Sequence, residues 1–337
     1  MKGFEKLSST LLSNRTFGLF AHISPDGDTL GSCQALGLAL AALGKRVSIF
    51  CDGSIPLYLR FLGVQLEDDA ELIKTIDVCI LVDCCEFKRV GKFGEVLKAN
   101  ARKLMAIDHH ANVTPDIKDT YMDGKKASCA EIIYDLLKDI GMSMNKEIAQ
   151  SIYTGVSTDT GSFIHASTNA NSLAVACDCV NCGFDLAKTN FNLYKLKPGK
   201  QFDFYRALFK HIKSYGDEKL IIIKIDNRLY NKFAYNCEAT ELFGLFTGIA
   251  GNEVVAKLTE NPIGNWRIGL RSSRGMDVSR IGRQFGGGGH LMAAGGAMNG
   301  TFGAVRRKLL SVFKDEEKRR EMEKSRVSGA GDFDWNY

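Results

Sequence analysis

Histidine is scarce in these 337 residues: there are six, and two of them, His109 and His110, are neighbours. Long apolar runs are missing as well. The longest, ALGLALAALG over 35–44, is about half a membrane span and reads as a buried helix, so no membrane association is expected. The opening MKGFEKLSSTLLSNRTFGLF has no signal-peptide core. Ten cysteines are therefore read as reduced thiols in a cytoplasm and not as a disulfide framework. Cys177, Cys179 and Cys182 could offer three zinc ligands, but no fourth lies nearby, and packing thiols is the better reading. No block of about five like charges occurs. A net charge of +5 suits an anionic substrate without resembling a tail that coats nucleic acid. Internal repeats and low-complexity segments are absent.

What the chain does have is alternation. TFGLFAH (16–22), KRVSIFCD (45–52), DVCILVD (77–83) and KLMAID (103–108) read as strands. Helical patterns fall at 29–43, 129–140, 145–157 and 169–182. Short continuous apolar strands alternating with helices predict an α/β fold with a mostly parallel sheet flanked by helices. Beyond 185 the pattern changes, and a second strand-rich unit begins with EKLIIIKID, NEVVAKLTE and NWRIGLRSS. The expected organisation is a first domain over 1–185, a linker over 186–201 around a Pro-Gly pair, a smaller α/β domain over 202–315, and a charged tail over 316–337.

Three of the four strands in the first half run into acids and histidines. The first leads to His22 and then Asp26 and Asp28, the third ends at Asp83, and the fourth at Asp108, His109 and His110. Singly, each fits a helix cap or a polar turn. In an open parallel sheet, however, the carboxyl ends of strands line one crevice, which would bring these residues together. Pro25 disfavours the α region at Ser24, and an extended stretch would aim Asp26 and Asp28 to one side. Asp159, in TDTG just after a helix, would add a fifth carboxylate. Carboxylates that close repel unless protons or cations compensate, and divalent metal is the economical compensation.

These segments resemble a known family. HISPDGDTLGS, VDCCEFKRVG, IDHH and TGVSTDTGSF are similar, in order, to the four motifs of DHH phosphoesterases. GLRSSRGMDVSRIGRQFGGGGHLMAAGG resembles the signature of the DHHA1 domain. The resemblance covers about residues 18–300 and implies a two-domain enzyme with its active site in the cleft between a DHH and a DHHA1 domain. It implies two Mn²⁺ ions, with Mg²⁺ or Co²⁺ able to substitute. His22 and Asp26 would hold one ion and Asp28, His109 and Asp159 the other, with Asp83 bridging. Asp108 and His110 would act beside the metals, His110 facing the reacting phosphate. Arg89 would support the acids. Arg271 and the backbone of Gly287, Gly288, Gly289 and His290 would hold substrate. Two departures stand out: Cys84 and Cys85 follow Asp83 where relatives more often have hydroxyl or small residues, and His165 stands where they commonly carry a basic one.

A stand-alone chain of this kind resembles the nanoRNase and pAp phosphatase group. That implies hydrolysis of short RNA oligonucleotides and dinucleotides to mononucleotides, and removal of the 3′-phosphate of pAp, by a metal-activated water. A homodimer is compatible with the resemblance. The main alternative is a phosphodiesterase of cyclic dinucleotides or their linear products. RecJ-type exonucleases carry further domains not seen here, family II pyrophosphatases lack the GGGGH half, and a silent nucleotide sensor would be expected to lack a ligand.

Overall fold

The computed structural model describes residues 2–111, 113–237, 241–272 and 275–327. The chain divides into two units, Met1–Lys197 and Pro198–Tyr337. In the first, β1 (Thr16–Phe20), β2 (Arg46–Phe50), β3 (Leu66–Glu67), β4 (Val78–Val82), β5 (Leu104–Asp108) and β6 (Thr120–Met122) form one sheet. Its order is β3-β2-β1-β4-β5-β6, and every neighbouring pair is parallel. The helices are α1 (Lys2–Ser13), α2 (Gly27–Ala42), α3 (Phe93–Asn100), α4 (Cys129–Asp139), α5 (Lys146–Asp159), α6 (Ala170–Asn181) and α7 (Leu186–Asn190).

Near-continuous apolar strands make sense because both faces are covered. Leu19, Ile80, Val82 and Ile107 join one core with Leu36 of α2, Ile133 of α4 and Ile152 of α5. Phe20, Phe50, Leu81 and Ala106 join the opposite core with Phe93 of α3. Each fully buried side chain of this size contributes about 1.5–3 kcal/mol. The order also creates a switch point. From β1 the chain winds outward through β2 and β3, then returns to add β4 on the other side of β1. A crevice opens at the carboxyl ends of β1 and β4, where the outward connections part company.

Glycine brings α2 and α5 close enough to share that crevice. A Cβ added at Gly31 of α2 would lie 2.5 Å from the Ser151 carbonyl oxygen and 3.1 Å from the Gly155 nitrogen of α5. Backbone cannot yield as a side-chain tip can. The start of α2 differs from the expected extended stretch: Ser24 takes φ 59°, Asp26 caps the helix, and Asp28 lies in its first turn. A cap and a first turn, not strand alternation, place the two acids.

The stretch read as a linker, 186–201, is not open chain. α7 continues into a π-helical turn over Phe191–Lys195, and Leu193 is buried in the first unit's core. Gln150 Nε2 donates to Thr189 Oγ1 at 2.8 Å, and Tyr153 Oη to Asn190 at 3.0 Å. The division falls at the Pro-Gly pair because packing onto α5 holds everything before it.

The second unit has β7 (Ile212–Tyr215), β8 (Leu220–Ile225), β9 (Val254–Glu260), β10 (Asn265–Ser272), β11 (Gly288–His290) and β12 (Ala293–Asn299) in the order β11-β12-β10-β9-β8-β7. β8 and β9 are parallel and the other pairs antiparallel. α8 (Gln201–Leu208), α9 (Asn227–Cys237) and α10 (Glu241–Gly244) contribute to the core on one face, and α11 (Val278–Arg283) and α12 (Phe302–Val327) to that on the other. α12 absorbs the charged segment expected as a tail as far as Val327, and Glu316 within it is buried. Residues 328–337 lie outside the described residues. Among those described, no helix is long and apolar enough to cross a membrane.

Two alanine substitutions in α2 should move stability in opposite directions. Gly31→Ala should cost about 1–3 kcal/mol by forcing α2 from α5. At Gly37 an added Cβ meets only ordinary contacts at 3.5 Å and beyond, so Gly37→Ala should gain up to about 1 kcal/mol from helix propensity. Urea denaturation of both variants checks this. Equal effects would contradict the close helix contact.

Candidate active site

The acids and histidines expected at strand ends do converge. His22 lies two residues beyond β1, Asp83 follows β4, and Asp108 closes β5 with His109 and His110 directly after. Asp26 and Asp28 begin α2, and Asp159 is the last residue of α5 instead of following it. Asp83 sits at the centre. Its Oδ2 is 3.5 Å from His22 Nε2, and its Oδ1 is 3.5 Å from His109 Nε2. Around the first contact, Asp26 Oδ2 lies 3.7 Å from His22 Nε2. Around the second, His109 Nε2 lies 3.3 Å from Asp159 and 3.8 Å from Asp28.

The His22 and His109 rings are each held by the nitrogen that faces away from Asp83. Nδ1 of His22 lies 3.2 Å from the Ile23 carbonyl, and Nδ1 of His109 lies 3.3 Å from that of Lys126. Such bonds fix the tautomer with Nε2 as the free donor atom, the usual arrangement for an imidazole ligand. Asp26 serves as both cap and candidate ligand. Its Oδ1 accepts from the backbone of Asp28 and Thr29 at 3.1 Å each, leaving Oδ2 for the crevice. The cap and ligand readings of this residue are compatible.

Some of the supporting residues carried no signal in the sequence. Asp28 accepts from Cys129 N at 2.6 Å and Ala130 N at 2.9 Å, so its carboxylate is anchored on the amino end of α4, about a hundred residues away. Thr29 Oγ1 donates to Val82 O at 3.0 Å and ties α2 to the end of β4. Gly155 leaves room for Asp28, whose Oδ1 would be 2.7 Å from an added Cβ. Small residues such as glycine and threonine are too common for such contacts to be read from spacing alone.

The charges are badly matched without a cation. Burial first, then the charges of Asp83, Asp159 and Asp26, push the Asp28 carboxyl well above its ordinary range. Burial also raises Asp83, against the lowering hydrogen bond from His22. Asp159 is pushed up to about 6 by burial, with His109 opposing and Asp83 adding to the rise. Burial works against a charged His22, yet its bonds to Asp26 and Asp83 lift it to about 10. Asp83 Oδ1 is buried with no hydrogen-bond partner among the described residues. A buried, unpaired carboxylate oxygen is costly, and this one lies 3.5 Å from His109 Nε2 and 3.8 Å from His110 Nδ1. His22, Asp26 and Asp83 form one group able to hold a cation, and Asp28, His109 and Asp159 a second. The donors are oxygen and imidazole without thiolate, a set that suits hard or borderline divalent ions.

Beside these groups lies a cavity of about 260 Å³ whose lining includes Asp83, Cys85, Arg89, Asp108 and His110. Asp108 Oδ1 accepts from both the backbone N and Nδ1 of His110, at 3.1 and 2.7 Å. That bond, against burial, raises the His110 pKa and leaves Nε2 as its open position. The carbonyl of Arg89 accepts from Ile23 N at 2.7 Å, so its backbone supports the loop that carries His22. His165 Nδ1 lies 3.2 Å from the carbonyl of Asp159, at the rim of the acidic group.

The remaining candidates belong to the second unit. Across β10, β12 and β11, Arg271 pairs with Ala293 and Ala293 with His290, so all three share one face. Two residues along, Gly269, Gly295 and Gly288 form a bare row on that same face. The Arg271 guanidinium lies over the Phe243 ring, 4.8 Å from its centroid. The glycine cluster is therefore in part an edge strand. Gly287 and Gly289 abut the backbone of β12, and Gly289 adopts φ 143°. Close packing accounts for those two, while Gly288 has open space where a side chain would stand.

Comparison with known proteins adds the family context. Residues 16–156 match the DHH family, N-terminal domain, and residues 229–318 match the DHHA1 domain. The chain is 30% identical over 283 residues to the bifunctional oligoribonuclease and PAP phosphatase NrnA of Thermus thermophilus, covering 83% of each. It is 28% identical over 300 residues to NrnA of Bacillus subtilis, covering 87% of this chain and 92% of that one. Among solved structures, an exopolyphosphatase-related protein from Bacteroides fragilis matches with a TM-score of 0.83 at 24% identity, covering 96% of this chain and 98% of its own. That likeness is one of fold.

Charge crowding makes a stability prediction for metal-free protein. The folded-state pKa of Asp159, about 6, lies above the ordinary 3.8, so the folded chain binds more protons between those values. Stability is then lost as pH rises through that window, and the full penalty is present above it. Asp159→Asn should therefore raise the Tm of chelator-treated protein at pH 7 but not at pH 3.5, while shrinking the Tm gain produced by added divalent metal. Differential scanning calorimetry at the two pH values checks it. A metal-free variant that is less stable at pH 7 would contradict the crowding.

Proposed function

Because the chain belongs to the DHH–DHHA1 phosphoesterase family, we propose that it hydrolyses very short oligoribonucleotides to mononucleotides and removes the 3′-phosphate of pAp. At the coarser level it is a metal-dependent phosphoesterase acting on nucleotides. Support for the finer reading comes from relatives alike over most of their length, whose names carry both activities. The observation that carries the mechanism is Asp83, with a different histidine against each carboxylate oxygen and one of those oxygens buried without a partner.

In this reading His22 and Asp26 hold one Mn²⁺, Asp28, His109 and Asp159 hold a second, and Asp83 contributes to both. Such ions, when bound, supply Lewis-acid charge to phosphoryl oxygens and acidify water at neutral pH. The protein's own work is orientation and charge. Asp108 fixes the His110 ring through Nδ1 and favours its protonated form, so Nε2 can donate to a phosphate oxygen or to the leaving oxygen. Arg89, lining the same cavity, adds a second cation for the phosphate. In the second unit, Arg271 and His290 flank bare glycine backbone on one face of the sheet, a surface suited to the nucleotide remote from the scissile bond.

Chelator-stripped protein should lose hydrolysis and regain it with Mn²⁺. The test panel is pAp, linear pApA, pGpG, cyclic di-AMP, and RNA of two to about twenty-four nucleotides. Preference for dinucleotides and pAp is expected. A strong preference for cyclic di-AMP would replace this substrate reading with that of a cyclic-dinucleotide phosphodiesterase, and full turnover in verified absence of metal would end the mechanism.

Arg271→Ala separates the roles of the two units. It should weaken dinucleotide binding by about 1.5–3 kcal/mol, seen mainly in KM, while a minimal phosphodiester without a distal nucleotide is hydrolysed almost as before. Equal damage to both substrates would show that Arg271 does not clamp the distal nucleotide.

A further inference from the structure

A second cavity, of about 260 Å³, lies wholly within the second unit and takes no part in the chemistry above. Its walls follow from the fold. In the antiparallel β7–β8 pair, Lys213 is opposite Ile222 and Tyr215 opposite Leu220. Strand alternation puts Lys213, Tyr215, Ile222 and Lys224 on one face, the face whose core is shared with α12. Phe302 and Arg306, four residues apart at the start of α12, close the cavity, and Lys210 completes its rim. Where this face would continue as core, the sequence supplies cations instead.

Four of the lining residues are lysine or arginine: Lys210, Lys213, Lys224 and Arg306. Lys224 is paired with Asp226 at 3.0 Å, but the other three have no salt bridge among the described residues. Phe302 gathers two of the cations, with Lys224 Nζ 5.2 Å and the Arg306 guanidinium 5.9 Å from its ring centroid. A solvated basic face would account for Lys210 and Lys213, which are exposed. It does not account for Arg306 Nε, which is buried with no hydrogen-bond partner. Unneutralised cations held in one small cavity repel each other, and a multiply charged anion relieves this.

The geometry points to a second nucleotide-binding site in the DHHA1 unit, in which Lys210, Lys213, Lys224 and Arg306 hold the phosphate and Tyr215 walls the base or sugar of a single mononucleotide. A cavity of about 260 Å³, just below the usual range for ligand pockets, suits one nucleotide better than a strand running on past it. The site rests on its own residues and stands whatever the catalytic substrate proves to be. A mononucleotide bound there would act as effector or retained product.

The test uses the full chain loaded with Mn²⁺ and titrated calorimetrically with AMP, which has no phosphodiester or 3′-phosphate to cleave. The unchanged protein should bind two AMP per chain, and the Lys213→Gln/Arg306→Gln double variant one, with the lost site weakened at least tenfold. Lys213→Gln alone, at an exposed position, guards against misfolding and should weaken the same site several-fold. Dinucleotide hydrolysis without added AMP should be unchanged in both. Inorganic phosphate and ribose 5-phosphate should bind this site more weakly than AMP, and adenosine not measurably. Identical AMP binding by parent and both variants would overturn the site. Phosphate binding as tight as AMP would overturn its assignment to a nucleotide. Single-site AMP binding with a variant-sensitive second contact appearing only for longer RNA would make it a strand contact and overturn the mononucleotide reading.

Discussion

Mutual repulsion among Asp26, Asp28, Asp83 and Asp159 is the constraint to which the first unit's architecture answers. Left in a low-dielectric crevice these acids would protonate or push apart, and burial and mutual charge do raise three of the four. The fold holds them in place by spending other interactions. Backbone amides of α4 grip Asp28, the amino end of α2 grips Asp26, and rings fixed through Nδ1 stand against Asp83 from two sides. Parallel β1, β4 and β5 deliver the residues to one edge, and glycine at Gly31 lets α2 and α5 close from above. An arrangement so expensive in the absence of cations is economical only when cations are bound.

Much of this was legible in the sequence, for identifiable reasons. Fully buried parallel strands are short continuous apolar runs, and the boundaries of β1, β2, β4 and β5 lie within two residues of those read from hydrophobicity. Acids and histidines at their carboxyl ends stand out because nothing else in such a run is polar. The site's supports were less legible. That Asp28 meets the start of α4, or that Thr29 ties α2 to Val82, depends on tertiary placement of residues that look like ordinary helix formers and caps. The linker reads as starting at 186 because the strand–helix alternation stops there and a Pro-Gly pair follows, yet Thr189 and Leu193 are buried and hold 186–195 on the first unit. GGGGH reads in the sequence as exposed backbone, whereas Gly287 and Gly289 are needed because β12 runs against them.

The two units apply the same device with opposite sign. In the first, carboxylates gather around a place for cations. In the second, half-buried glycine backbone lies beside Arg271 and His290, and Lys210, Lys213, Lys224 and Arg306 line the cavity at the start of α12, both proposed above as places for anions. Phosphoesters need both, because the scissile group carries negative charge that must be held and offset while a water attacks it. Holding one end of a short substrate by its remote phosphate or base converts part of the binding energy into correct placement of the scissile bond.

The central claim is that Asp83 joins two metal sites. Electron paramagnetic resonance of the metal-free chain reconstituted with two equivalents of Mn²⁺ tests it most directly, because close ions sharing a carboxylate are magnetically coupled. The account predicts a coupled-pair spectrum that is lost in Asp83→Asn while the variant remains folded. A spectrum of isolated Mn²⁺ at full loading, or a coupled pair that survives Asp83→Asn, would contradict it.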